Sequence, residues 1–166
     1  MKGVDAMQIT DATAADLPAI LRIERLGFSP EEAGSADQYR DRLEKLTGTF
    51  LVAKVAGQVV GFVVGPATTA AYVADWMYEQ TPRNLPTGGH QLIYSIAIDP
   101  AYRGAGLGSR LLAAISERAR AAHRGTLSLT SLERNVPFYE KNGFINRGVA
   151  MSDHAGETWY NLVKPL

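Results

Sequence analysis

Ile93-Tyr-Ser-Ile-Ala-Ile-Asp-Pro-Ala-Tyr-Arg-Gly-Ala-Gly-Leu-Gly-Ser-Arg-Leu-Leu112 decides how this chain is read. The β-branched Ile93, Ile96 and Ile98 predict a buried strand. Pro100 ends it, because proline donates no ladder hydrogen bond and biases Asp99 away from the helical region. Leu107, Leu111, Leu112, Ile115, Ala119 and Ala122 then recur at helical spacing. Between strand and helix lies Arg103-Gly-Ala-Gly-Leu-Gly108, whose small residues let backbone amides face outward without a Cβ in the way. Amides converging on a helix N-terminus form an anion site, aided by the positive end of the helix dipole. Such a loop suits a pyrophosphate.

Two common pyrophosphate motifs do not fit. A P-loop needs Lys and then Ser or Thr after its last glycine, and Gly108 is followed by Ser109-Arg110. A dinucleotide fingerprint counted from Gly104 finds Gly106 but then Ser109 in place of its last glycine. It would also belong to the first strand of the chain, with an acidic residue about 20 positions on, where this chain has His123 to Leu127.

Composition narrows the field further. At 166 residues the chain is predicted to be one domain, 1–166, long enough to bury a core. Lys+Arg and Asp+Glu both number 17, so no basic excess points to nucleic acid. There is no cysteine, which rules out disulfides, thiolate zinc sites and thiol nucleophiles. His90, His123 and His154 fit no metal-ligand spacing, so no metal is expected. Neither a signal-peptide pattern nor a membrane-length apolar run is present. The expectation is a soluble, cytoplasmic protein with no membrane or nucleic-acid partner, monomeric or homodimeric.

Outward from the loop, a first strand is expected at Met7–Thr10. A helix follows it, capped by Thr13 or Asp16, with Leu17, Ile20, Leu21, Ile23, Leu26 and Phe28 as its apolar face. Ser35-Ala-Asp-Gln38 is a capping box for a second helix over 36–46. Thr49–Val55 and Gln58–Gly65 read as a hairpin turning at Ala56-Gly57. Residues 66–89 give only a helical turn or two and a loop. Gly125 is expected to stop the long helix, and a strand over Thr126–Leu132 to follow. A short helix carrying Tyr139 comes next, with Gly143 in the left-handed position after it. Phe144–Val149 and Thr158–Val163 close the chain as a strand pair. This order predicts an α/β fold with a mixed sheet.

Arg103-x-x-Gly106-x-Gly108 between strand and helix resembles the signature of GNAT-superfamily N-acetyltransferases. Asn135-Val-Pro-Phe-Tyr-Glu-Lys-Asn-Gly-Phe144 resembles that superfamily's late helix, and Val136 to Glu140 is closest in wording to the arylalkylamine N-acetyltransferase branch and its bacterial relatives. The resemblance implies a single-domain GNAT-like fold: a central mixed, mostly antiparallel sheet of six to seven strands flanked by about four helices. It implies transfer of an acetyl group from acetyl-coenzyme A to a primary amine by direct attack on the thioester. Arg103, Gly104, Ala105, Gly106, Leu107, Gly108 and Ser109 would hold the pyrophosphate. Backbone groups of Ile96, Ala97 and Ile98 would hold the pantetheine arm and thioester carbonyl, provided that the neighbouring strand splays away. Tyr139 would protonate the departing thiolate. Asn135 is either a further coenzyme contact or a helix cap.

The base is where the chain departs from those relatives. The two strand histidines of arylalkylamine acetyltransferases fall on Leu92 and Tyr94. His90 lies two residues earlier on the same expected strand face, which makes Tyr94, His90 or ordered water the candidates, with Asp75 and Glu79 behind them. Trp76, Tyr78, Tyr94 and Trp159 favour a small amine with an apolar body as acceptor. Polyamine, amino-acid, antibiotic, protein lysine and N-terminal acceptors stay open. A coenzyme A-binding sensor or inactive module is the reading from another class.

Overall fold

The computed structural model describes residues 6–166. Its elements, in chain order, are β1 (Gln8–Asp11), α1 (Leu17–Gly27), α2 (Ala36–Lys45), β2 (Phe50–Val55), β3 (Gln58–Val64) and β4 (Ala67–Thr68). They continue with α3 (Trp76–Glu79), β5 (His90–Ile93), β6 (Ser95–Ile98), α4 (Leu107–Ala121), β7 (Thr126–Leu132), α5 (Val136–Lys141), β8 (Ile145–Val149) and β9 (Trp159–Pro165). This is an α/β fold in two sheets, β1-β2-β3-β6 and β4-β5-β7-β9-β8. Every pairing is antiparallel except β5 with β7, which α4 joins as a crossover. The single sheet of six to seven strands expected from sequence is thus divided into four and five strands.

The division has a local cause. Val64 faces Ser95 and Ala67 faces Gln91, so three steps along one strand oppose four along the other. The extra residue is Tyr94, a β-bulge that bends the strand expected to run unbroken through Ile93 to Ile98. The backbone crosses tightly there. Leu92 N–H donates to Pro66 O at 2.8 Å and Tyr94 N–H to Val64 O at 2.8 Å. A Cβ on Gly65 would sit 2.0 Å from Leu92 O, so no larger residue fits the crossing. Gln91, 1% exposed, ties the junction by donating from Nε2 to Gly65 O at 3.0 Å and Leu92 O at 2.8 Å.

Side-chain alternation splits the first sheet's two faces between two cores. Leu51 and Ala53 of β2 pack with Leu107, Leu111, Leu112 and Ile115 of α4. Phe50 and Val52 pack with Ile20 and Ile23 of α1 and with Tyr39 of α2. The capping box forms: Gln38 N–H donates to Ser35 Oγ at 3.1 Å, and Ser35 N–H to Gln38 Oε1 at 2.8 Å. The β2–β3 hairpin turns on Ala56 (φ 52°) and Gly57 (φ 78°), both left-handed as a tight primed turn requires.

Other details differ from the sequence reading. On α1 Leu26 is 53% exposed, while Glu24 is buried on the stripe in its place. Helix α4 ends at Ala121, and His123 (φ 60°) rather than Gly125 takes the left-handed position. Strand β8 lies at the sheet edge, exposed along its length, with a register shift between Asn146 and Val149.

Candidate active site

Where the two sheets part, β6 is left with one open edge. β5 and β7 run paired through Ile93 and Leu129 and then diverge. β6 continues on β3 alone. Asp99 N–H donates to Val60 O at 2.8 Å. By alternation the amides of Ser95 and Ala97 also face β3, and those of Ile96 and Ile98 point away from it, toward the opening. The open edge is thus offered by the backbone of Ile96 and Ile98, while Ala97, expected to share in it, turns its backbone groups to β3. The cleft so formed is lined by Tyr94, Ser95 and Ile96 from one strand, Thr130 and Ser131 from the other, and Tyr139 and Asn135 beyond them.

At the far end of β6 the chain turns through Pro100–Tyr102 into the glycine loop. Gly104 (φ 82°) and Gly106 (φ 77°) are left-handed, and a Cβ on either would meet open space. Gly106 caps α4 without a side-chain hydrogen bond, so the first amides of this long helix depend on something outside it. Gly108 packs under Phe138, whose ring an added Cβ would approach to 3.0 Å. Arg103 donates from Nε to Ile98 O at 3.4 Å, which sets its guanidinium beside the end of β6. Arg103, Gly104, Ala105, Gly106, Leu107, Gly108 and Ser109 are thus one turn with open backbone at the mouth of the strand.

Tyr139, on α5, reaches the cleft with its ring edge-to-face against Phe138 at 5.1 Å and Phe144 at 5.6 Å. Burial pushes its phenol well above the ordinary value. Asn135 lines the cleft at the start of α5 and makes no side-chain cap, so capping does not account for it.

The other sequence candidates separate. Leu92 and Tyr94 do share a face, packing together with Val73 and Met77, since the break in alternation falls after Tyr94. Leu92 is wholly buried. His90 contacts Thr126 Oγ1 through Nδ1 at 2.8 Å at the opposite end of β5, roughly 13 Å along the strand from Tyr94. It does not enter the cleft lining. Tyr94 does, but its hydroxyl donates to Met77 O at 2.7 Å and burial raises its pKa, so that proton is committed. Asp75 accepts from Ser152 Oγ at 2.6 Å and serves the 150–158 loop.

Glu79 does line the cleft, and so do two buried charged residues that the sequence reading passed over. Glu24, 3% exposed, accepts from Ser95 Oγ at 2.8 Å and from Gly34 N–H at 2.9 Å. Arg42, 2% exposed, stacks over Tyr39 at 4.6 Å and Tyr94 at 4.9 Å. A signal existed for both. Glu24 follows Ile20 at i+4, and Arg42 follows Tyr39 at i+3, each on its helix's buried stripe. Facing them is an aromatic wall: Tyr78 lies 5.1 Å from Tyr94 and 5.2 Å from a stacked His154, which lies 5.7 Å from Trp159. Trp159 Nε1–H donates to His154 O at 2.9 Å and holds the wall in place. No group of residues suited to a metal ion occurs among the described residues.

Comparison with known proteins agrees with this architecture. The acetyltransferase (GNAT) domain family matches residues 47–146. Glucosamine 6-phosphate N-acetyltransferase of Trypanosoma brucei brucei is 45% identical over 56 residues, 34% of this chain and 37% of that protein. The match thus spans little more than a third of that relative. Among solved structures, Ard1 from Thermoplasma volcanium superposes with a TM-score of 0.75 at 24% identity, over 97% of this chain and 98% of that one. The loading GNATL domain of CurA from Lyngbya majuscula gives 0.80 at 13% identity, over 96% and 97%. At such identities these structures speak for the fold. With its split sheet, glycine loop and late helix, and with the family match spanning well over half its length, this chain belongs to the GNAT acetyltransferase domain family.

Proposed function

We propose that the chain is an N-acetyltransferase that moves the acetyl group of acetyl-coenzyme A to the primary amine of a small molecule. The observation that carries this reading is the open edge of β6, running from the cleft to the glycine loop. The pyrophosphate binds the amides of 103–109, and the pantetheine lies along Ile96 to Ile98 like an added strand. The thioester then reaches the cleft beside Ser95 and Tyr139. Fixing thioester and amine together supplies most of what the reaction needs, since well-oriented reactants gain large effective concentrations.

The amine nitrogen attacks the thioester carbon, a C–N bond forms, and collapse of the tetrahedral intermediate breaks the C–S bond. The proton lost by nitrogen passes through Ser95 Oγ or a water to the carboxylate of Glu24. Its position in the cleft favours it over His90 and Tyr94, which the sequence reading put forward. The departing thiolate takes its proton from Tyr139, whose raised pKa keeps the phenol protonated at working pH. The aromatic wall of Tyr78, His154 and Trp159 suits an acceptor with a flat apolar body and supports the arylalkylamine-like side of the family resemblance.

The test is release of free coenzyme A thiol from acetyl-coenzyme A across a panel of amines, with acetylated product identified by mass. The reading expects amine-dependent turnover. Tight coenzyme A binding with no turnover on small amines, proteins or peptides would support the sensor reading instead.

A further inference from the structure

We propose that the acceptor carries a carboxylate next to its amine, as an α-amino acid does, and that Arg42 is the residue that binds the carboxylate. This rests on the transfer reading and narrows its acceptor. The cations that form ion pairs among the described residues do so with carboxylates within 4.0 Å, as Arg22 does with Asp99 and Arg118 with Asp11. Arg42 is more buried than any of them and has no such partner. Its Nε is buried with nothing to accept its hydrogen, and its guanidinium enters no hydrogen bond or ion pair among the described residues. Arginine cannot shed its proton to escape that cost, so a buried and unanswered guanidinium calls for an anion.

The packing says where the anion comes from. Tyr39 and Tyr94 cover the guanidinium, which leaves its edge as the open approach, and the residue lines the cleft. An edge-on guanidinium presents two parallel N–H groups, the match for a carboxylate's two oxygens. Glu24 does not serve, because it forms no ion pair with Arg42 and turns its oxygens to Ser95 Oγ and Gly34 N–H. Yet it is close: a point beside Gly34, itself closed by the Tyr39 ring at 2.8 Å, lies 3.1 Å from Arg42 Nη1 and 3.3 Å from Glu24 Oε2. A cation and an anion this near each other in one cleft lining are the complement of a zwitterion, with the ammonium toward Glu24 and Ser95 and the carboxylate toward Arg42. The neighbouring carboxylate disfavours a dianionic phosphate in the same place. The aromatic wall then receives the amino acid's side chain, so the fit is to an amino acid with an aromatic or large apolar side chain.

Matched pairs test this: phenylalanine against phenethylamine and tryptophan against tryptamine, each with acetyl-coenzyme A. The wild-type protein is expected to prefer the amino acid by tenfold or more in kcat/KM. Arg42→Met should bring that ratio toward one and Arg42→Lys should keep part of it. Equal or better use of the decarboxylated amine by the wild type overturns the proposal and needs no variant to fold. So does a preference for an amine bearing a phosphate. Calorimetry of N-acetylphenylalanine and N-acetylphenethylamine on the coenzyme A-loaded protein gives a readout independent of turnover. If no amine is acetylated but N-acetylphenylalanine binds tenfold more tightly, and only with Arg42 in place, the transfer reading falls and the carboxylate site stands. If both amines are acetylated equally, the carboxylate site falls and the transfer reading stands.

Discussion

Gly65→Ala puts the smallest possible addition at the crossing that divides the sheet. The new Cβ would lie 2.0 Å from Leu92 O, 2.6 Å from Leu92 C and 2.7 Å from Ile93 Cα, all of them backbone. No side-chain rotation relieves that contact; the two strands must separate by about 1 Å, and overpacking of this kind costs roughly 1–3 kcal/mol. Separation also weakens the bond from Leu92 N–H to Pro66 O and that from Gln91 Nε2 to Gly65 O, each worth about 1 kcal/mol. The expected loss is therefore about 3–5 kcal/mol. For a domain of this size that lowers Tm by about 6–20 °C, at roughly 2–4 °C per kcal/mol. Urea unfolding and thermal melts followed by tryptophan fluorescence measure it. An alanine variant within about 0.5 kcal/mol of wild type would refute the view that the tight crossing holds the sheets apart.

At Gly106 the left-handed φ and the open approach to the amides both matter, so Gly106→Val should weaken coenzyme A binding tenfold or more by calorimetry, with the fold checked by circular dichroism. Tyr139→Phe keeps the ring contacts and removes the hydroxyl; kcat should fall about 10²-fold with coenzyme A affinity unchanged. The raised pKa of Tyr139 means that the proton-bound, active form persists upward in pH. In the wild type no alkaline limb from this group should enter the kcat profile below about pH 10, the ordinary phenol value. His90→Gln, at the opposite end of β5 from the cleft, should leave the pH–rate profile as it is, and a changed profile would restore His90 as the base.

Most elements were legible because one local rule sets each of them. The Ala56-Gly57 turn follows from left-handed backbone, α2 from its capping box, and β7 from a run of alternating residues ended by Glu133-Arg134-Asn135. The glycine loop was legible for the same reason. What escaped depends on pairing between distant residues. Nothing within Ile93 to Ile98 says that Tyr94 is one residue too many, because the surplus exists only against Val64 to Ala67. That one residue undid the expectation of a strand unbroken through Ile93 to Ile98. Glu24 and Arg42 were passed over because charges on a surface helix are ordinarily solvated. Their place on the buried stripe acquires meaning only once α1 and α2 are seen packing beside the cleft.

The position of β9 between β7 and β8 bears on the order in which the chain is assembled. β8 precedes in the chain the strand it pairs with, so its hydrogen-bonding groups have no partner in the sheet until β9 is in place. The bend of β8 between Asn146 and Val149 suits that interval, since an irregular strand is a poor template for pairing with a neighbouring chain. Once β9 arrives it zips to β7 from Leu132 to Thr126 and gathers β8 on its other side. Trp159, at the leading end of β9, is delivered to the cleft in the same event. The first sheet and the glycine loop contain no residue of β9, so the proposed coenzyme-binding turn is built without it, whereas the aromatic wall needs Trp159.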